Sequence, residues 1–370
     1  MDGQARDETV ESWLPSPGWT RLGVSIGLTL RWMLILAAFV MCLFAASSAG
    51  VLLFSLMMVV VFPVAVAAHE LGHYIAARRH GMTVLLMRIG AVDIAPWGRG
   101  WKVRWKRYIH PLPAGYVYAL PDPSRPYRVP MIVFALGGVT ATLVFATLVA
   151  LAVPFMPTET ERALLTGCVA VLFLPVCNLF PGRDGYETDG PIAWRWWRHP
   201  PGEALMAPVF AKAKLLGGIP ISKLETHDAE ALMGDSITGV WYAVKRHQQC
   251  GEWGQVVEFG PRLEGLVPEH RFARSAYAET IDLIRSEIAF AAAVLHDDPA
   301  LLPDAAALHR SDWGNSVLSP RCAAWFAYRA GDQETWRDAM AQTMRVAGRS
   351  VDRSLLVSER LIAGQLYGED

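Results

Sequence analysis

Charge is scarce in this sequence. Asp, Glu, Lys and Arg make up 19% of its 370 residues, while 52% are hydrophobic. A soluble globular chain carries about 25% charged residues, and the mean hydropathy here is positive, +0.24. The shortage argues against an ordinary soluble protein, and the length leaves room for two or three domains. The net charge is −1. With no basic tail or aromatic-basic stripe, the chain lacks the footprint of a nucleic-acid binder, and no nucleic-acid partner is expected. Cysteine is sparse too. Cys42, Cys168, Cys177, Cys250 and Cys322 stand far apart. No paired spacing suggests a disulfide framework or a zinc ribbon, so a reduced or membrane-buried setting is expected. Residues 1–20 are polar, lack the n-region and h-region of a cleaved signal, and are expected to form a flexible arm.

What the chain has in excess is uncharged length. Four runs are long enough to cross a bilayer, at residues 23–48, 51–77, 129–157 and 163–182. Arg31 interrupts the first and must snorkel or face protein. Ser47-Ser48-Ala49-Gly50 turns the chain into the second. The third holds the small pair Gly137-Gly138, which permits close helix packing. The fourth is broken near its end by Pro175, Asn178 and Pro181, a break tolerated only where protein or a water-filled cavity surrounds it. Residues 82–128 have a different texture. Val84–Gly90, Trp101–Arg107 and Gly115–Leu120 are β-prone, with a turn at Pro96-Trp-Gly-Arg-Gly100, and predict a small membrane-associated β-hairpin or sheet.

The expected fold is mainly α: a polytopic membrane core at 21–200 with about four transmembrane helices, followed by a soluble α-helical domain at 201–370. Helical hairpins with Gly-centred turns are expected there around Gly251 and Gly331. Basic residues crowd the segment between the second and third spans, from Arg78 and Arg79 to Arg128. The positive-inside rule makes that side cytoplasmic, with both termini on it. The expected setting is therefore a multi-pass protein, for which a bacterial cell membrane is the natural location.

Near the end of the second run stands His69-Glu70-Leu71-Gly72-His73. Histidines four apart share one face of a helix, with a glutamate beside the first. By this spacing a helix offers two imidazoles to Zn²⁺ and a carboxylate to its bound water. An ionisable cluster at the end of a membrane-grade helix is expensive, which marks it as functional. Two imidazoles leave a catalytic zinc one protein ligand short. The end of the fourth span supplies Asp184, Glu187 and Asp189 on the same side of the membrane. Asp184-Gly185 reads as a plain turn, whereas Asp189 precedes Gly190-Pro191 and what looks like a new helix, where it could also serve as a cap. His227, His247, His270, His296 and His309 are isolated and read as surface or satisfied histidines.

Together, His69-Glu70-Leu71-Gly72-His73 and Asn178-Leu179-Phe180-Pro181 resemble the site-2 protease family of intramembrane zinc metalloproteases, over residues of roughly 50 to 195. The resemblance implies one Zn²⁺ per chain held by His69, His73 and an aspartate, with Glu70 as the general base that activates zinc-bound water and Asn178 holding the substrate backbone. The chain departs from the family at one point. The common spacing from the proline places the aspartate at Tyr186, between Asp184 and Asp189. Asp189 is the expected ligand and Asp184 the alternative. The implied activity is hydrolysis of a membrane-anchored protein near the cytoplasmic face, with the lipid bilayer and a regulatory protein at the C-terminal domain as partners. The competing expectation is a catalytically silent membrane scaffold whose helical domain binds a protein.

Overall fold

A computed structural model of the chain describes residues 21–105, 115–181, 188–198, 202–269, 271–311 and 316–368. The chain divides into two compact units, residues up to 201 and residues from 202 onward, with Pro96–Lys102 grouping with the second.

The first unit is built on four helices, α1 (Arg21–Ala49), α2 (Val51–Arg79), α3 (Arg128–Ala152) and α4 (Glu159–Phe173). The segments Ile26–Ala49, Val51–Arg79, Arg128–Phe155 and Glu159–Leu179 are long and apolar enough to cross a membrane. An uncharged run of this length can satisfy its peptide groups in lipid only by bonding them internally, so it is helical throughout. Apolar side chains such as Leu52 and Phe44 face outward, as a lipid-facing surface requires. Gly50 makes the turn between α1 and α2 at φ +86°, which a side chain would strain. Helix α2 continues through Pro63. Helix α4 opens with a capping box in which Thr158 and Glu161 satisfy each other's backbone N–H groups. The fourth span changes character where the prolines predict it: α-helix ends at Phe173, and a tighter 3₁₀ segment with Pro175 in its first turn runs from Leu174 to Leu179.

Close approach of the helices rests on glycine. A Cβ on Gly72 would collide with the Gly137 carbonyl and stand 2.5 Å from the Ala141 methyl. The backbones of α2 and α3 therefore touch at Gly72 and Gly137, within the small-residue face the sequence displays.

Four antiparallel strands follow α2 in the chain: β1 (Thr83–Ile89), β2 (Val92–Trp97), β3 (Gly100–Trp105) and β4 (Gly115–Leu120), in the order β3-β2-β1-β4. The sequence suggests one turn, at 96–100, but the chain also reverses at Gly90 (φ +55°), so residues 92–97 form a strand of their own. Arg88 and Asp93 face each other across that hairpin. Asp93 is wholly buried and accepts from Arg88 Nε at 2.5 Å and from Arg104 Nη2 at 3.0 Å. The two guanidiniums hold its carboxyl below the usual range, against the pull of burial.

The second unit is helical: α6 (Glu203–Leu216), α7 (Thr226–Leu232), α8 (Ile237–Gln249), α9 (Trp253–Leu266), α10 (Arg271–His296), α11 (Ala305–Ser311), α12 (Leu318–Arg329), α13 (Gln333–Ala347) and α14 (Ser354–Tyr367) follow α5 (Asp189–Arg198) of the first. Gly251 and Gly331, both at φ +74°, turn α8 into α9 and α12 into α13. Val240, Val244, Leu263 and Ile284 form the centre of one apolar core, and Phe290, Leu318 and Trp325 that of another. Between these cores lies a fully buried ionic cluster. Glu287 of α10 accepts from Lys245 Nζ of α8 at 2.6 Å, from Gln248 Nε2 at 2.9 Å, and from Arg321 of α12. Arg321 also donates to Glu359 of α14 at 3.2 Å. Burial would raise Glu287, but the Arg321 and Lys245 charges hold it down to about 2. Glu359 is pushed up, because burial outweighs its cationic neighbours.

Candidate metal centre

The buried residues of α2 cluster towards its C-terminal half, among them His69, Glu70 and His73. Their apolar surroundings follow from the sequence: the run before them is uncharged, and α3 packs against them through Gly137 and Gly138. Asp189 arrives from elsewhere. It is the first residue of α5, and Phe180, after the 3₁₀ end of the fourth span, is extended. Thr188 Oγ donates to the Phe180 carbonyl at 2.7 Å. A Cβ on Gly190 would run into the Leu179 backbone, within 2.6 Å of its carbonyl carbon. Glycine at 190 therefore lets α5 start against the end of the span.

Nε2 of His69 and Nε2 of His73 lie 3.2 Å apart. Asp189 faces both, with Oδ2 at 3.1 Å from the first and Oδ1 at 3.5 Å from the second. Ligating atoms of the three residues all fall within 4.8 Å of one another. The other ring nitrogens fix the tautomers. His73 Nδ1 is 2.7 Å from the Phe134 carbonyl, which can only accept. His69 Nδ1 is 3.2 Å from Thr142 Oγ, whose single proton goes to the Gly138 carbonyl at 2.9 Å. Both Nδ1 atoms therefore carry a proton, and in the neutral ring each Nε2 presents a lone pair.

The set fits a cation. Two imidazole nitrogens and a carboxylate converge, and among the described residues Asp189 Oδ2 is buried without a hydrogen-bond donor although an imidazole nitrogen stands beside it. Glu70 Oε2 is likewise buried with no partner among the described residues. Buried carboxylate oxygens beside imidazole nitrogens in an apolar setting are unfavourable unless a positive charge joins them. Two imidazoles and one carboxylate with a further position open is a catalytic zinc donor set. Gly138 keeps the space clear, since a Cβ there would collide with His73 Nε2 and lie 2.7 Å from His69 Nε2. Gly115, at the start of β4, does the same for Glu70: a Cβ would lie 2.6 Å from both its Cγ and Oε1.

Of the sequence-predicted residues, His69, His73, Glu70 and Asp189 come together here. Asn178 Nδ2 is 3.4 Å from His69 Nε2. Asp184 and Glu187 lie outside the described residues. Of the isolated histidines, His247 pairs with Glu252 at 2.5 Å. Sequence reading missed Thr142, the Phe134 carbonyl and the roles of Gly115 and Gly138.

A family model described as Peptidase family M50 matches residues 57–364, more than half of the chain. Comparison with curated proteins gives no match, and comparison with solved structures gives none either.

Proposed function

The chain belongs to peptidase family M50, the site-2 protease family of membrane metalloproteases in which zinc is the usual metal, and from that premise we propose that it is an intramembrane zinc endopeptidase. Its substrate is a membrane-anchored protein, cut near the cytoplasmic face, and one zinc per chain is held by His69, His73 and Asp189. The observation that carries this reading is the convergence of these three beside Glu70, whose buried Oε2 has no partner among the described residues, at the end of an apolar helix. Zinc at such a site polarises the scissile carbonyl and makes a water acidic enough to attack near neutral pH.

The chain's own residues do the rest. Glu70 takes the proton of the attacking water and returns it to the leaving amine, a role open to its buried Oε2. Asn178, on the irregular end of the fourth span, holds the substrate backbone beside His69. Strand β4 lies at one edge of the sheet, with no strand beyond it among the described residues. Its first residue, Gly115, abuts Glu70. An unwound substrate adding as a strand along that edge would expose its peptide bonds to Glu70, which a helical span hides. The sheet lies at the membrane surface, and the basic residues from Arg78 to Arg128 put it and both termini on the cytoplasmic side. The helical unit from 202 onward binds a regulator or the cytosolic part of the substrate.

The test is zinc content and cleavage of a model transmembrane substrate by wild type and Glu70→Gln. Zinc in both with cleavage only by wild type supports the mechanism. Equal cleavage by both sinks it, and zinc with no cleavage of any substrate favours the silent scaffold. Asp189→Ala should lose the metal. Retention there, with loss in Asp184→Ala, reassigns the third ligand.

A further inference from the structure

Three positions of α3, four residues apart, meet the two imidazoles. The Phe134 carbonyl receives His73 Nδ1–H, the Thr142 hydroxyl receives His69 Nδ1–H, and Gly138 between them brings a bare Cα up to both Nε2 atoms. A spacing of four keeps them on one face of the helix. The bond from Thr142 to the Gly138 carbonyl is the ordinary way for a threonine to satisfy itself in an apolar helix. It does not account for the second bond, in which the wholly buried hydroxyl serves as the acceptor His69 requires.

Arg128 completes the pattern. It is the first residue of α3, where a cation opposes the helix dipole. Its guanidinium lies instead at the far end of α5, where Nε donates to the Trp196 carbonyl at 3.0 Å and Nη2 to the Trp197 carbonyl. Carbonyls in the last turn have no partner within their own helix, and a cation is favoured there. Helix α5 is the element that begins with Asp189.

Resting on the reading of His69, His73 and Asp189 as zinc ligands, we propose that α3 sets the orientation of all three. Thr142 positions His69 by fixing its tautomer and ring angle, and Arg128 positions Asp189 by anchoring the other end of α5. Neither touches the reacting atoms. Groups that accept the outer N–H of a ligating imidazole typically carry about 10–100-fold in metal affinity.

The experiment uses the full chain in detergent, with zinc affinity read by competition against a chromophoric chelator and geometry read from the visible bands of the Co²⁺ form. Thr142→Val, equal in size but without the hydroxyl, should bind zinc about 10–100-fold more weakly and shift the Co²⁺ bands. Thr142→Ser should restore both. Arg128→Gln should weaken zinc as well, and Arg128→Lys should recover part of the loss. Wild-type affinity and spectrum in Thr142→Val overturn the role of Thr142. Equal losses in Val and Ser variants also overturn it, because packing rather than the hydroxyl is then responsible. Arg128→Gln with an unchanged spectrum and affinity removes the Asp189 half. Should Thr142→Val fail to accumulate, Thr142→Cys, with its poorer acceptor, is judged by the same criterion. A wild-type chain that takes up no zinc fails the ligand reading itself, which is a distinct result from the loss of positioning alone.

Discussion

Each unit of this protein buries a cluster of ionisable side chains, and the two clusters are constructed in opposite ways. In the helical unit Lys245 and Arg321 face Glu287 and Glu359, two cations against two anions, drawn from four helices. Its loose ends are one donor and one acceptor, Arg321 Nε and Gln248 Oε1. In the membrane unit two imidazole lone pairs face two carboxylates, and the loose ends, Glu70 Oε2 and Asp189 Oδ2, are both acceptors. The first cluster closes on itself. The second, on the reading proposed above, closes around a cation. A cluster whose charges pair within it is accounted for by structure, whereas buried groups left unsatisfied mark a candidate functional site.

The sharpest way to separate the two is to remove one carboxylate charge from each. Glu70→Gln should lower peptide hydrolysis by about 10²–10⁴-fold, the usual contribution of a general base, while zinc stays bound. The fold should be as stable as before or more so, since an unpartnered buried charge is gone. Glu287→Gln should do the reverse. Removing one partner of a buried ion network costs about 3–5 kcal/mol, seen as a lower unfolding temperature and faster hydrogen exchange in α8, α10 and α12, with zinc content unchanged. Should Glu287→Gln prove harmless, or Glu70→Gln prove destabilising, the contrast between closed and open clusters fails.

Chelation should affect one unit only. A ligand that binds only the folded state at 100 times its dissociation constant adds about 2.7 kcal/mol. Zinc removal should therefore raise hydrogen exchange in α2, α3 and α5 and leave α8 to α14 as they were. Equal loosening of both units would mean that the metal supports the whole fold and not the open cluster alone.

How far each cluster was legible beforehand follows from the same contrast. The candidate metal centre announces itself through residue types and spacing, two histidines one helical turn apart followed by an aspartate after a broken span, although the spacing alone leaves Asp184 and Asp189 both open. The four spans are equally plain, since lipid excludes any uncharged run that is not a helix. The supports of the site were not legible. Thr142 and Phe134 are ordinary residues of an apolar helix, and the Phe134 contribution is a carbonyl that every residue has. Gly137 and Gly138 look alike in sequence, yet the first meets Gly72 and the second the imidazoles, a division set by helix rotation. The closed ionic cluster was invisible for a related reason. Lys245, Glu287, Arg321 and Glu359 are scattered over more than a hundred residues, and nothing local distinguishes them from charges on a solvated face.

The smallest expected effect concerns mild acid, and it tests whether the closed cluster is closed. Glu287 is held down to about 2, below the ordinary glutamate value of about 4.3. A carboxylate depressed in the folded state contributes its stability above the unfolded value and loses it as pH falls through the folded one. Its contribution is therefore constant from pH 7 to about 5 and declines only below about 4. Glu359 has the opposite sign: burial raises it, so it takes up a proton before the unfolded chain does, and acidification in its range favours the fold. The difference in unfolding free energy between wild type and Glu287→Gln should thus stay flat between pH 7 and 5. The difference between wild type and Glu359→Gln should move in favour of wild type as pH falls. Taking differences cancels histidines that titrate in the same window. If the Glu287 difference already shrinks above pH 5, its carboxylate is not held by Lys245 and Arg321, and the cluster is as open as the one at Glu70.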